Sequence, residues 1–168
     1  MPDFGREIVG LLPRLRRLAW AIVRDRQESE DLLHLTIERA LAKHASRDPE
    51  ARLDMWMFRI MKNLWVDEVR KRNRWARLVT SLPDDIEVGD SGRFADDLHD
   101  EVELSRVRGL VENLPEEQRM AIKLVLLGGH SYGEAAEILE IPEGTLTSRL
   151  ARGRAALIKH YSAGGTRH

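Results

Sequence analysis

Residues 131–154 read Ser-Tyr-Gly-Glu-Ala-Ala-Glu-Ile-Leu-Glu-Ile-Pro-Glu-Gly-Thr-Leu-Thr-Ser-Arg-Leu-Ala-Arg-Gly-Arg, and this stretch decides the fold. Ser131 followed three positions later by Glu134 predicts a capping box, in which each side chain satisfies a backbone N–H of the other residue. Pro142 suits the first turn of a second helix, where its missing N–H costs nothing. The result is two short helices joined by a tight turn. Winding the second at 100° per residue puts Leu146, Leu150, Gly153 and Leu157 on one stripe facing a core. Thr147, Ser148, Ala151 and Arg152 then form the opposite face, with Arg149 and Arg154 on its two flanks.

A helix of this kind suits a DNA major groove. Its flanking guanidiniums reach phosphates while the middle of the face reads base edges. For the arginines alone, a solvated amphipathic helix serves equally well. Cap, turn and flanking pattern together favour the helix-turn-helix.

The composition is that of a soluble globular chain: 168 residues, 42% hydrophobic and 33% charged, enough for one domain or two small ones. Cysteine is absent, which removes disulfides, thiolate metal sites and thiol catalysis. No apolar run reaches membrane-spanning length and the N-terminus lacks the order of a signal peptide, so the cytoplasm is the expected location. The net charge of −1 conceals a segregation. Residues 1–76 hold 16 Lys/Arg against 12 Asp/Glu, residues 77–104 hold two against nine, and residues 105–168 hold nine against seven. Two mildly basic modules flank an acidic connector. Basic charge is densest in Arg59–Arg77, with seven Lys/Arg and two acids, a footprint suited to phosphates.

Helical periodicity runs through the first module and strand signals are missing. Leu11, Leu15, Leu18 and Ile22 share a stripe that reaches Val23 before Arg24-Asp25 interrupts it. A second helix is expected over Ser29–Lys43, with Leu33, Ile37, Ala40 and Leu41 inward and Asp31, His34, Leu35 and Glu38 outward. Leu35 is either a protein contact or an ordinary exposed leucine. A third is expected from Asp54 to Arg72, with Met57, Ile60, Met61, Leu64 and Trp65 apolar and Arg59, Asn63, Val66 and Arg70 opposite. Trp56, Phe58 and Trp65 could stack on an unpaired base, though aromatics at this spacing more often fill a core. Asn63, lying between two arginines, can both donate to and accept from a base edge.

Ser81–Asp100 is acidic and turn-rich, and reads as a flexible linker. The second module is expected to open with a helix over Glu101–Glu112, then restart with Pro115 in its first position. Ile122, Val125 and Leu126 would face its core, and Gly128-Gly129 would stop it. A disordered tail is expected over 162–168. The expected fold is therefore all-α: helical bundles at 1–76 and 105–161, the second carrying the helix-turn-helix, joined by an acidic linker at 77–104.

The chain resembles the two-domain bacterial sigma factors of the extracytoplasmic-function type. In that family a segment like Glu30-Asp-Leu-Leu-His-Leu-Thr-Ile-Glu-Arg-Ala-Leu41 docks on the clamp helices of core RNA polymerase. A segment like Trp56-Met-Phe-Arg-Ile-Met-Lys-Asn-Leu-Trp65, followed by Val66–Arg74, binds and melts the minus-10 element, and the helix-turn-helix reads the minus-35 element. The resemblance implies polymerase contacts at Asp31, His34, Leu35 and Glu38. It implies single-stranded minus-10 contacts at Arg59, Lys62, Asn63, Arg70, Lys71, Arg72 and Arg74, with Asn63 holding a flipped base. Duplex minus-35 contacts are implied at Thr147, Ser148, Arg149, Ala151, Arg152 and Arg154.

Departures from the family pattern are His34 and Leu35, where Gln and then an acid are common, Thr147, where Lys or Arg is frequent, and Glu140, where the turn often uses Gly. The resemblance further implies an anti-sigma protein clamping both modules and a linker near the polymerase's RNA channel, for which composition equally suits a plain solubilising tether; a monomer is expected when the chain is free.

The principal rival is a sigma-like decoy that sequesters an anti-sigma factor without binding polymerase. A second is a simple DNA-binding repressor, which would have no use for the first module. An enzyme is the least favoured class: the six histidines lack paired metal-ligand spacing and no nucleophile triad or glycine-rich phosphate loop is present, so no cofactor or metal is expected.

Overall fold

The computed structural model describes residues 3–23, 25–79 and 98–164, and all regular structure among them is helical. The chain divides into two compact units, Met1–Gly92 and Arg93–His168. Residues 80–97, which include most of the expected linker, and 165–168 of the expected tail lie outside the described residues.

In the first unit, helix α1 spans Phe4–Ile22 and is capped by the Asp3 carboxylate, which accepts from the Gly5 amide at 3.1 Å. It buries Ile8, Leu15, Leu18, Ala19 and Ile22 and ends as Val23 turns extended and inward. Helix α2 runs Arg26–Lys43, a turn earlier than expected. Asp25, read in the sequence as an interruption, is its N-cap and accepts from the Glu28 amide at 2.9 Å. Ser29, the expected start, is buried inside the helix. Leu32, Leu33, Thr36 and Ala40 face inward, whereas Leu41, expected in the core, is 54% exposed.

After a short 3-10 turn, His44–Ser46, helix α3 covers Leu53–Val79. Its 27 residues extend roughly 40 Å at 1.5 Å per residue and pass the expected end at Arg72 by two turns. The cause is compositional: Asn73–Val79 contains neither Gly nor Pro, and Ala76, Arg74, Arg77 and Leu78 are good helix formers.

The three helices close around Leu15, Leu18, Ile22, Leu33, Met55, Met57, Phe58 and Met61, all nearly inaccessible to solvent. At the base of α3 the Asp54 carboxylate accepts from Arg14 Nη1 at 2.8 Å, Arg52 Nη2 at 2.8 Å and the Met55 amide at 2.8 Å. It ties α1 to α3. Burial alone would raise the Asp54 pKa, but the hydrogen bonds from Arg52, Arg14 and Met55 together hold it below the ordinary carboxylate value.

In the second unit, helix α4 spans Leu98–Glu112 and helix α5 begins at Glu116, with Pro115 one position earlier than expected as its N-cap. After Ile122, residues Lys123–Leu127 wind as a π-turn. That wider turn shifts the inward register. Leu124 is buried, Val125 is half-buried, and Leu126, expected in the core, is 50% exposed. Lys123 is drawn inside, where its ammonium pairs with Glu112 at 2.6 Å. Gly129, at φ 72°, ends the turn.

Helices α6, Tyr132–Leu139, and α7, Glu143–Gly164, complete the unit around Ile122, Leu124, Ile138, Leu146 and Leu150. Residues 162–164, expected in the tail, are helical. Gly153 allows α7 to approach α5, since a Cβ there would come within 3.0 Å of Ile122 Cγ1.

Candidate nucleic-acid and polymerase surfaces

The Ser131 hydroxyl accepts from the Glu134 amide at 3.1 Å, which starts α6 as expected. The reciprocal arm of the capping box is not made. The Glu134 carboxylate lies instead 3.3 Å from Nδ1 of the buried His130 ring. Between α6 and α7, Glu140 adopts φ 56° and ψ 44°, a left-handed conformation strained for a residue with a Cβ. The Ile141 amide donates back to Ala136 at 3.0 Å, closing the turn.

On α7, Leu146, Leu150 and Gly153 are buried and Leu157 half-buried, while Thr147, Ser148, Ala151 and Arg152 are exposed, as the winding predicts. The Thr147 and Ser148 hydroxyls donate to the Glu143 and Gly144 carbonyls at 3.0 and 3.1 Å. With their protons so used, they offer the solvent side acceptor lone pairs. Arg152 Nε lies 3.3 Å from the Ser148 carbonyl, so the donors on its two terminal nitrogens remain for an outside partner. The flanks differ. Arg154 is exposed, but the Arg149 side chain is only 20% exposed and lies 3.6 Å from Glu117 on α5.

On α3, Arg59, Asn63, Arg70 and Arg74 recur at steps of four, seven and four, which places them on one face. Asn63, Arg70 and Arg74 are exposed and Arg59 is half-buried. Lys71 is also exposed but lies about 100° round the helix from Arg70.

One member of the expected minus-10 set needs correction. Lys62 is buried, because it stands four and seven positions after Phe58 and Met55 and shares their inward row. Arg72 is exposed but also engaged within the bundle: it donates to Glu28 at 2.5 Å and to Glu68 at 3.1 Å, and its guanidinium lies 5.4 Å from the Trp65 ring centroid. The aromatics are likewise engaged: Phe58 is buried beside Arg14, and half-buried Trp56 carries Arg47 at 5.9 Å. Trp75 and Leu78, 70% and 77% exposed, escape the sequence reading because it ends the helix before them.

Asp31, His34, Leu35 and Glu38 are all exposed along the outward side of α2, and Leu35 is 51% exposed. Gln27 donates to Asp31 at 3.0 Å one turn earlier. The stripe is an apolar side chain ringed by polar ones.

Residues 104–157 match the family model "Sigma-70, region 4", and residues 8–62 match "Sigma2 domain of PhyR". The ECF RNA polymerase sigma factor EcfG of Rhodopseudomonas palustris is 32% identical over 157 residues, spanning 90% of this chain and 81% of that protein. This chain belongs to the ECF RNA polymerase sigma factors. The ECF sigma factor SigW of Bacillus subtilis is 29% identical over 153 residues, covering 87% of this chain and 82% of its own. Among solved structures, the sigma factor RpoE in complex with the anti-sigma factor NepR from Bartonella quintana superposes with a TM-score of 0.71 at 28% identity, covering 99% of this chain and 100% of that one. The anti-anti-sigma factor PhyR from the same organism shares the fold at 14% identity, with a TM-score of 0.62 over 94% of this sigma factor and 50% of PhyR. Among the described residues, no helix is long and apolar enough to cross a membrane.

Proposed function

We propose that this sigma factor binds core RNA polymerase and directs initiation at promoters carrying its minus-35 and minus-10 elements, with the polymerase supplying all of the chemistry. The observation that carries this reading is the exposed α3 face of Asn63, Arg70 and Arg74 in a chain of this family. The α2 stripe around Leu35 meets the polymerase clamp. The α7 face enters the minus-35 major groove, with Arg152 reaching base edges and Arg154 a phosphate. Asn63 takes a base extruded from the minus-10 strand, and Arg59, Arg70, Lys71 and Arg74 hold its backbone. Residues 1–76 and 105–161 act as the two functional modules, tethered by the acidic 77–104. Each phosphate neutralised adds about 0.9 to the log–log salt slope on duplex DNA. Work on DNA with polymerase places the protein in the cytoplasm.

An anti-sigma protein is the expected regulator, supported by the RpoE–NepR complex of the structural relative. A second reading, the decoy, is favoured by the match of residues 8–62 to the PhyR domain and by PhyR's description as an anti-anti-sigma factor. A decoy has no need for a cationic, Asn-bearing face on α3. Permanganate footprinting of a promoter with reconstituted holoenzyme separates the two. Initiation predicts reactive minus-10 thymines that vanish with Asn63→Ala, whereas a decoy predicts none in either case.

A further inference from the structure

We propose that Glu117 restrains the sequence-independent grip of the C-terminal module by holding Arg149 on the protein, so that DNA phosphate must compete with it for that guanidinium. The inference rests on the reading that α7 lies in a major groove. Three arginines flank or line the outward side of α7. Arg152 and Arg154 stand exposed, but Arg149 lies back toward α5 with only 20% of its side chain accessible, 3.6 Å from Glu117. The partner carboxylate is itself 72% exposed. The pair is therefore asymmetric: the cation is covered and the anion stands in water.

Backbone packing sets this geometry. Where α5 crosses α7, the position of a Cβ on Gly153 lies 3.6 Å from Gln118 Cβ and 3.0 Å from Ile122 Cγ1. That close approach puts Glu117, next to Gln118, beside Arg149, one turn before Gly153. The start of α5 does not depend on this carboxylate, because Glu116 also stands in the first turn to meet the helix dipole.

A pair this open is worth little in water. A phosphate in the same position gains from counterion release, so Arg149 can be exchanged onto DNA, and Glu117 sets how readily. Because the contested contact is to phosphate, promoter and random duplex are weakened alike, and discrimination stays with the base-reading face of α7.

The test is equilibrium binding of reconstituted holoenzyme to a promoter duplex and to a random duplex of equal length across a salt series. Glu117→Gln should tighten binding to both by the same factor, roughly 1.5- to 5-fold, and steepen the salt slope by up to about 0.9. Glu117→Ala should do the same. In an Arg149→Gln background neither change should matter. Equal tightening with and without Arg149 would mean simple charge repulsion, and no tightening would mean that Arg149 never leaves; either overturns the proposal. A wild-type holoenzyme that binds neither duplex in a salt-dependent way overturns the groove reading itself, a result distinct from an unresponsive Glu117.

Discussion

Arg72, in the middle of the most basic run of the chain, donates to Glu28 in the first turn of α2 at 2.5 Å, so one of the cations expected on DNA also ties two helices of its own bundle. Glu28 and Glu68 hold its guanidinium above its already high pKa, and Trp65 lies beneath it. Lys71 and Arg74, exposed like Arg72, make no ion pair across to α2 among the described residues.

Arg72→Ala should therefore act on stability and Arg70→Ala on promoter opening. The ion pairs are about half exposed and so are worth only ~0.5–1 kcal/mol after solvent screening, with a similar amount from the ring. Thermal melts of Arg72→Ala should fall by several degrees, while those of Arg70→Ala stay near wild type. The opposite assignment in melts and footprints would contradict the geometry.

On α7 the exposed Arg152 should carry base discrimination. Arg152→Ala is expected to lose about 1–3 kcal/mol on the cognate minus-35 sequence and little on random duplex. Arg154→Ala should weaken both alike and reduce the salt slope. Binding isotherms on the two duplexes decide; equal losses for both variants would remove the division between reading and gripping.

Glu140 holds φ 56° in the helix-turn-helix turn. The left-handed conformation costs a residue with a Cβ roughly 1–2 kcal/mol, part of which glycine gives back through the greater freedom of its unfolded chain. Glu140→Gly should still raise the melting temperature of the second unit by a few degrees. An unchanged or lower value would show that the Glu140 side chain contributes something the backbone does not.

Acid should loosen the first unit through Asp54. Its folded pKa is depressed below the ordinary 3.8, so the associated stability is present above that value and is lost as pH falls through the folded pKa. Asp54→Asn should cost about 1–2 kcal/mol at neutral pH, and the gap to wild type should shrink in strong acid. Urea melts followed at several pH values measure this directly; a gap independent of pH would assign the stability to packing.

The helix-turn-helix was legible because its signals are local: a cap at Ser131, a turn ending at Pro142 and a leucine stripe four and three residues apart. The exposed face of α2 and the row of Asn63, Arg70 and Arg74 followed from periodicity in the same way. Asp25 carries the same kind of cap signal but was masked by charged neighbours that resemble a break. The end of α3 has no breaker to announce it. Lys62 follows the inward row set by Met55 and Phe58, against the ordinary preference of lysine for water. The π-turn after Ile122 leaves no mark in composition, yet it exchanges Leu126 for Leu124 in the core. The pairings of Arg72 with Glu28 and Arg149 with Glu117 join residues far apart in sequence, where one-dimensional periodicity carries no information.

Run-off transcription with purified core polymerase, the full chain and a randomised promoter library tests the proposed role most directly. Transcripts from a shared minus-35 and minus-10 pattern are predicted, abolished by Asn63→Ala and redistributed by Arg152→Ala. An absence of transcripts, with the chain still capturing an anti-sigma protein, would contradict initiation and leave the decoy.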